Sequence, residues 1–428
     1  VVDGGSLVVS GLGVSSAVGV GKVDFARGLF AGRGTFTPMS RPGRQHGSSV
    51  VGAEMADPLA GRFDELPSWS SASLTARVAV ATLDEAWQEA RLDSMDADRM
   101  GLVVGGSNVQ QRESLLARER QASDPRFVRP RYGMSVWDTD VSALCSEVFG
   151  IRGFAHTVGG ASASGGLAVA EAAEAVQSGR VDICVAVGAL ADISYWEVFA
   201  LQSMGAMAPD GTDVAPRPFD VGSRGFVFGE SCAAIVLERP GGRCLPSGER
   251  YARLAGWAVR SDAHRGPDPS LEGEAGVLHD AVAAAGLEAD DIDYVNTHGS
   301  GAPLGDRTEV GAIRRAGLEG AALNATKAIT GHGLTAAGTV EAVATLLQME
   351  AGLLHPTAHL EEPIDPELRW VGPVARSAEL RASVSTSVGF GGISTALCFA
   401  TPTPFASRSS GRSSGTDPGA EQAREGTP

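Results

Sequence analysis

The sequence predicts an α/β protein, and three observations carry that expectation. Short runs rich in Val, Ile and Leu alternate with longer Ala-rich runs of helical period along most of the chain. The alternation occurs in both halves: a strand-like run at 7–12 opens the first and a similar run at 251–259 opens the second, across a Gly/Pro/Ser linker at 241–249. The 428 residues are 43% apolar, ample for a large core, while aromatics are only 6%, so packing must rely on Ala, Val and Leu.

Taken in order, 7–13 reads as a strand breaking into a glycine loop. Its lone GxG is a weak dinucleotide signal, because no full GxGxxG follows. The stretch 35–49, rich in Pro, Gly, Ser and Arg, reads as an exposed loop. A helix is expected over 71–91, where Ala, Leu and Val fall on one face, and a buried strand over 100–105. Residues 110–121 read as a polar helix. Arg112, Arg118, Arg120, Arg126, Arg129 and Arg131 cluster there, partly neutralised by Glu113 and Glu119. The ordinary reading is a solvated face or subunit contact, and the sharper one a docking patch for an acidic partner. Helices are expected at 141–149, 167–177, 276–285, 309–316 and 336–350, and strands at 181–188, 251–259, 292–297, 382–387 and 395–400. The tail, 401–428, is nearly devoid of apolar residues and reads as disordered.

Composition excludes several function classes. A net charge of −16 argues against generic binding to nucleic acid or anionic membranes. Cys145, Cys184, Cys232, Cys244 and Cys398 suggest neither a disulfide framework nor a CxxC metal site, and no metal is expected. Cys184, Cys232 and Cys398 lie in apolar, strand-like runs and read as buried small hydrophobes. With no basic n-region at the N-terminus and no apolar run of spanning length, the expectation is a soluble cytoplasmic protein.

The chemistry centres on Gly159-Gly160-Ala161-Ser162-Ala163-Ser164-Gly165-Gly166, a tight turn leading into a helix and then a strand. That order can place a side chain at a helix N-terminus, where free N–H groups favour negative charge. By itself it reads first as a Ser N-cap with close-packing glycines, since caps are much commoner than nucleophiles. Three further motifs follow: Thr297-His298-Gly299-Ser300-Gly301; Asn324-Ala325-Thr326-Lys327 with Gly331-His332-Gly333 and Glu341; and Gly389-Phe390-Gly391-Gly392. With Pro218-Phe219-Asp220 and 224–230, this ordered set resembles the β-ketoacyl synthases (ketosynthases) of fatty-acid and polyketide assembly, over about residues 6–400.

The resemblance implies a duplicated thiolase-like fold: two βαβ halves, 1–240 and 250–400, whose sheets stack between helical layers. It implies no bound cofactor, with substrate carried on the phosphopantetheine arm of an acyl carrier protein. It also implies a dimer, a homodimer by expectation, with a heterodimer as the other option. His298 and His332 match the family's histidines, Lys327 and Glu341 a buried pair that sets their electrostatics, and Phe390 a position whose backbone N–H completes an oxyanion hole. Two positions depart from the pattern. Ser394 stands where the family usually has Asn, and Ser162 stands where it has its nucleophilic Cys. A thiol near pKa 8.5 reaches the thiolate at a helix N-terminus, but a serine hydroxyl stays protonated without an adjacent base. Acyl loading should therefore be suppressed and the decarboxylating histidines retained. The implied activity is conversion of malonyl-carrier protein to acetyl-carrier protein in polyketide biosynthesis. The alternatives are a Ser162-dependent acyltransferase or condensing enzyme, and a non-catalytic chain-length-factor-like partner.

Overall fold

The computed structural model describes residues 5–56, 63, 65–211, 214–243 and 248–402. The main elements of the first half are β1 (Val8–Ser16), β2 (Gly19–Val20), α1 (Lys22–Phe30), α2 (Leu74–Ala90), β3 (Met100–Gly105), α3 (Gln111–Arg120), α4 (Thr139–Phe149), β4 (Phe154–Val158), α5 (Ser164–Gln177), β5 (Ile183–Gly188), α6 (Tyr195–Ser203) and β6 (Ser231–Glu238). The second half holds β7 (Arg253–Ser261), α7 (Leu271–Ala284), β8 (Tyr294–Asn296), α8 (Pro303–Arg315), β9 (Ala322–Asn324), α9 (Ala337–Ala351), β10 (Arg369–Trp370), β11 (Ala382–Gly389) and β12 (Ile393–Ala400).

The two sheets run β2-β1-β6-β5-β3-β4 and β7-β12-β11-β8-β9-β10. Counted from β1 and from β7, five strands match in order and direction: two antiparallel pairings, then two parallel ones. The match extends to a β-bulge. The register slips between Val9 and Gly11 in β1 and between Leu254 and Gly256 in β7. At both slips the glycine lies directly on a helix backbone, Ala86 of α2 or Ala281 and Ala285 of α7, where any side chain would collide. The α/β duplication read by resemblance is therefore present down to a single residue in each half.

Burial explains the layering. On the outer face of the first sheet, α2 and α4 bring Leu83, Trp87, Val141 and Leu144 onto Leu102, Val104, Val185 and Val187. On the outer face of the second, α7 and α8 bring Val277, Leu278, Val310 and Ile313 onto Val295, Leu323, Val384 and Cys398. Between the sheets lie α5 and α9, buried on nearly every face, packed with strand residues such as Val14, Ile235, Leu397 and Phe399. Their Ala-rich composition lets two helices fit in one layer, and Thr339 Oγ1 donates to Gly165 O at 2.9 Å across their crossing. The halves thus share one central layer, and Leu7 and Leu254 exchange two backbone hydrogen bonds, 2.8 and 2.9 Å, between β1 and β7.

Several expectations change in detail. The helix expected from 167 begins at Ser164, preceded by a 3₁₀ turn, Ala161–Ala163. The stretch 35–49 is not simply an exposed loop. Its Arg44 is fully buried, donating to Asp192 at 2.9 Å and Glu230 at 2.7 Å, with its guanidinium 4.8 Å from the Phe228 ring centre. Arg112 likewise leaves the proposed surface cluster. It is buried and donates to Asp192 at 2.7 Å, while Arg118, Arg120, Arg126, Arg129 and Arg131 are exposed. Cys145, Cys184, Cys232 and Cys398 are buried free thiols whose ionisation burial pushes up, to about 12 for Cys232 and Cys398. Cys244 and all but the first two residues of the 401–428 tail lie outside the described residues. Among the described residues no helix is long and apolar enough to cross a membrane.

Candidate active site

Where α5 and α9 begin, a cavity of about 350 Å³ is lined by Ser162, His298, His332 and Phe390 together. The serine turn is built by its neighbours. Ala161 adopts φ 48°, a left-handed conformation that costs a non-glycine residue about 1–3 kcal/mol. The turn is locked through Ser164, whose Oγ accepts from Gly160 N at 2.9 Å and donates to Ala161 O at 2.7 Å. Ser162 Oγ is then held 3.1 Å from His332 Nε2. The end of β11 closes on the same turn: Gly389 sits against Gly160 O with no room for a side chain, which brings Phe390 to the cavity wall.

His332 hangs from the short strand Phe228–Gly229. Its N–H donates to Val227 O at 2.7 Å, its carbonyl accepts from Gly229 N at 3.1 Å, and its ring meets Phe226 edge-on at 4.9 Å. Glu230, next in sequence, is tied to Arg41, Arg44 and the Met55 N–H, so a buried ion network stands directly behind this strand. His298 leaves the end of β8. Glu309 of α8 accepts from its N–H at 2.6 Å and from Gly299 N at 2.8 Å, and Asp306 accepts from Phe219 N at 2.6 Å and Gly301 N at 3.0 Å. Lys327, buried, lies 3.2 Å from His298 Nδ1 and also donates to the His298 carbonyl and to Glu341.

These contacts fix the tautomers. Leu334 N–H donates to His332 Nδ1 at 3.2 Å, and the Lys327 ammonium, which has only protons to offer, donates to His298 Nδ1. Each ring therefore carries its proton on Nε2. Burial and then the Lys327 charge hold both imidazoles well below their ordinary pKa, so both are neutral, and they stand 5.6 Å apart, edge to face. Burial raises Glu341 to about 7, with Lys327 pulling the other way, and raises Glu309 and Asp306 to about 7 and about 6 against the backbone N–H groups they accept from.

Such a site can hold an anionic oxygen between two neutral N–H donors. It offers Ser162 no base: His332 Nε2–H points its proton at the hydroxyl and does not take one from it. All the residues singled out in sequence, Ser162, His298, His332, Lys327, Glu341 and Phe390, converge here; Ser394 lies within β12, buried and in register with Val388 and Arg260. Sequence reading gave no role to Asp306, Glu309 or Glu274, nor to Arg41, Arg44, Asp192 and Glu230 of the buried network, and it placed that network's Arg112 on the surface. Asp306 and Glu309 had a visible signal, two carboxylates three residues apart at the start of a helix that follows a Gly-Ser-Gly turn.

Two family models match: β-ketoacyl synthase, N-terminal domain, over residues 5–240, and β-ketoacyl synthase, C-terminal domain, over 251–361. The polyketide biosynthesis malonyl-ACP decarboxylase PksF of Bacillus subtilis (strain 168) is 47% identical over 401 residues, covering 92% of this chain and 95% of the relative. A putative polyketide beta-ketoacyl synthase 1 of Streptomyces halstedii is 33% identical, covering 92% and 98%. Among solved structures, the ishigamide ketosynthase/chain length factor superposes with a TM-score of 0.84 at 26% identity, covering 93% of this chain and 99% of that one. With its repeated sheets, its paired histidines and these relatives, the chain belongs to the β-ketoacyl synthase family.

Proposed function

We propose that this protein decarboxylates malonyl-acyl carrier protein to acetyl-acyl carrier protein in polyketide biosynthesis, with Ser162, His298, His332 and Lys327 as its working residues. The single observation that carries the reading is that both histidine Nδ1 atoms are occupied by donors, so both Nε2–H groups are donors into the cavity. The relative named as a malonyl-ACP decarboxylase supports the same substrate and reaction.

In the proposed reaction the thioester carbonyl oxygen lies between His298 Nε2–H and His332 Nε2–H. The bond from Cα to the carboxylate breaks, carbon dioxide leaves, and the released electron pair becomes an enolate whose charge falls on that oxygen. A proton from solvent at Cα then gives the acetyl thioester. Each neutral donor is worth about 10²–10³ in rate. Lys327 keeps His298 in the donating tautomer and Glu341 holds Lys327 in place; Phe390 lines the entry. The thioester oxygen takes the place of Ser162 Oγ at His332 Nε2–H, and Ser162 turns its own O–H toward the thioester or the departing carboxylate. The acyl arrives on the phosphopantetheine arm of the carrier protein. Among the described residues the four cysteines are buried and unpaired, which suits a reducing cytoplasm. A homodimer is the proposed assembly, since among the described residues β4 has no partner on its outer edge.

Intact-protein mass spectrometry after incubation with malonyl-carrier protein tests the reading. The wild type should release carbon dioxide, convert the carrier-bound malonyl to acetyl, and show no adduct on Ser162. Ser162→Cys should become acylated. A stoichiometric acyl ester on wild-type Ser162 that chases into product would establish the acyltransferase instead. Absence of carbon dioxide release would favour the non-catalytic partner.

A further inference from the structure

Four carboxyl groups line the cavity, and three of them are accounted for. Glu197 accepts from Ser194 N at 2.8 Å and Ser194 Oγ at 2.5 Å, while Asp306 and Glu309 each accept two backbone N–H bonds. Glu274, in the first turn of α7, is the exception. Its side chain is 3% exposed and its Oε2 has no hydrogen-bond partner. The titratable groups acting on it are Glu309 and Asp306 on α8 and Asp262 just past β7, all acidic, with His298 on the same cavity. Burial, reinforced by these carboxylates, raises Glu274 to about 9. At neutral pH it is an uncharged acid, with one O–H to give and one C=O to receive.

A secondary amide can meet that acid at one of its two ends, and the acid's O–H suits the amide C=O; in a trans amide the C=O and N–H point apart, so one such contact is made. Part of the cavity wall is one apolar cluster, Ala191, Ile193, Leu201, Phe226 and Leu334; Glu274 with its neighbours Asp306 and Glu309 makes a polar side, and Asn108, Gln111 and Glu197 also line the cavity. An amide buried on the apolar side would lose its hydrogen bonds at a cost of about 1–3 kcal/mol per group, so the amides of an incoming chain belong on the polar side. We propose that Glu274 is a binding residue for the substrate arm, donating its O–H to an amide C=O of the pantetheine chain and thereby positioning the thioester between the histidines. The inference rests on the decarboxylase reading above. It adds a pH dependence to it: the contact is present below about pH 9 and is lost as Glu274 ionises above it.

Steady-state decarboxylation of malonyl-pantetheine between pH 7 and 10 tests this, for the wild type, Glu274→Ala and Glu274→Gln. One neutral hydrogen bond corresponds to about three- to tenfold in affinity. The wild-type KM should rise by that factor across pH 9. Glu274→Ala should carry the raised KM at every pH with kcat within about twofold. Glu274→Gln, which gives and receives without titrating, should restore the low KM and lose the alkaline rise. A KM in Glu274→Ala equal to wild type, a loss in kcat in place of KM, or an alkaline rise retained in Glu274→Gln would each overturn the proposal. If Glu274→Ala does not fold, the alkaline behaviour of Glu274→Gln decides alone. No carbon dioxide from the wild type, with malonyl-pantetheine or with malonyl-carrier protein, would instead be a failure of the decarboxylase reading.

Discussion

At the residue scale, Lys327 links charge to tautomer. It donates to His298 Nδ1 and depresses both histidines, while Glu341 neutralises it. A folded pKa lowered below the ordinary value of about 6.5 means that the unfolded chain takes up protons first. The histidines' contribution to stability is therefore complete above about pH 6.5 and is lost as pH falls toward their folded values. The expected outcome by ¹⁵N NMR at pH 6 is two neutral imidazoles protonated at Nε2, where a free imidazole would be mostly charged. Removing the pair together as Lys327→Met with Glu341→Gln avoids stranding a buried charge and should move His298 upward toward 6.5. A doubly protonated ring in the wild type at pH 6 would contradict the proposed donor pair. On the donor argument, His298→Ala and His332→Ala should each slow carbon dioxide release at least about a hundredfold, read by trapping the released gas. His298 and His332 were legible because each sits in a short motif with a glycine beside it, and Lys327 and Glu341 through the resemblance that sets them in order with the histidines. Glu274 and Arg44 were not, because their burial depends on elements distant in sequence: α8 for Glu274, and Asp192 and Glu230 for Arg44. A run of Pro, Gly and Arg carries no signal that one of its arginines is enclosed.

At the element scale, the strands and helices read from periodicity are present: β3 spans 100–105 in both sequence and structure, while other ends shift by a few residues, as with α7, which starts five residues earlier than expected. Two of the longer helices went unread. α1 follows Gly21, which offers no side-chain cap, and its nine residues are too few for a clear period. α6 did carry a signal: Ser194 and Glu197 form a capping box, but the helix buries only Val198, so no apolar stripe marks it. Gly11 and Gly256 were visible as letters and silent as structure, since their meaning lies in helices that cross them from elsewhere. Gly11→Val and Gly256→Val should each destabilise the fold by at least about 1–3 kcal/mol, the cost of overpacking a filled core. Because the two sites repeat one another, their urea midpoints should fall together. A midpoint unchanged in both variants would contradict the close helix approach read from the structure.

At the scale of the whole molecule, the first sheet ends in β4, which pairs with β3 on one side and with nothing described on the other. Its side chains are half-buried or exposed all along its length, where a strand meant to face water would alternate. The segment before α4 runs beside it: Asp138 O accepts from Thr157 Oγ1 at 3.3 Å, and one residue earlier Trp137 is 65% exposed, with Met134 at 69%. An unpaired edge flanked by exposed large apolar side chains is a surface that proteins ordinarily cover. In the second sheet the matching strand, β9, is covered by the two-residue β10. The asymmetry between two otherwise matching sheets supports the proposed homodimer, with β4 against its own copy, where a two-fold axis would extend the sheet and repeat every contact. Light scattering after size exclusion at micromolar concentration should give twice the chain mass of 43.9 kDa. Met134→Asp with Trp137→Asp should shift the protein toward the monomer without loss of helical signal by circular dichroism. A wild type that stays monomeric at 50-fold higher concentration would rule out this edge as a self-association surface, and a dimer indifferent to both substitutions would place the interface elsewhere.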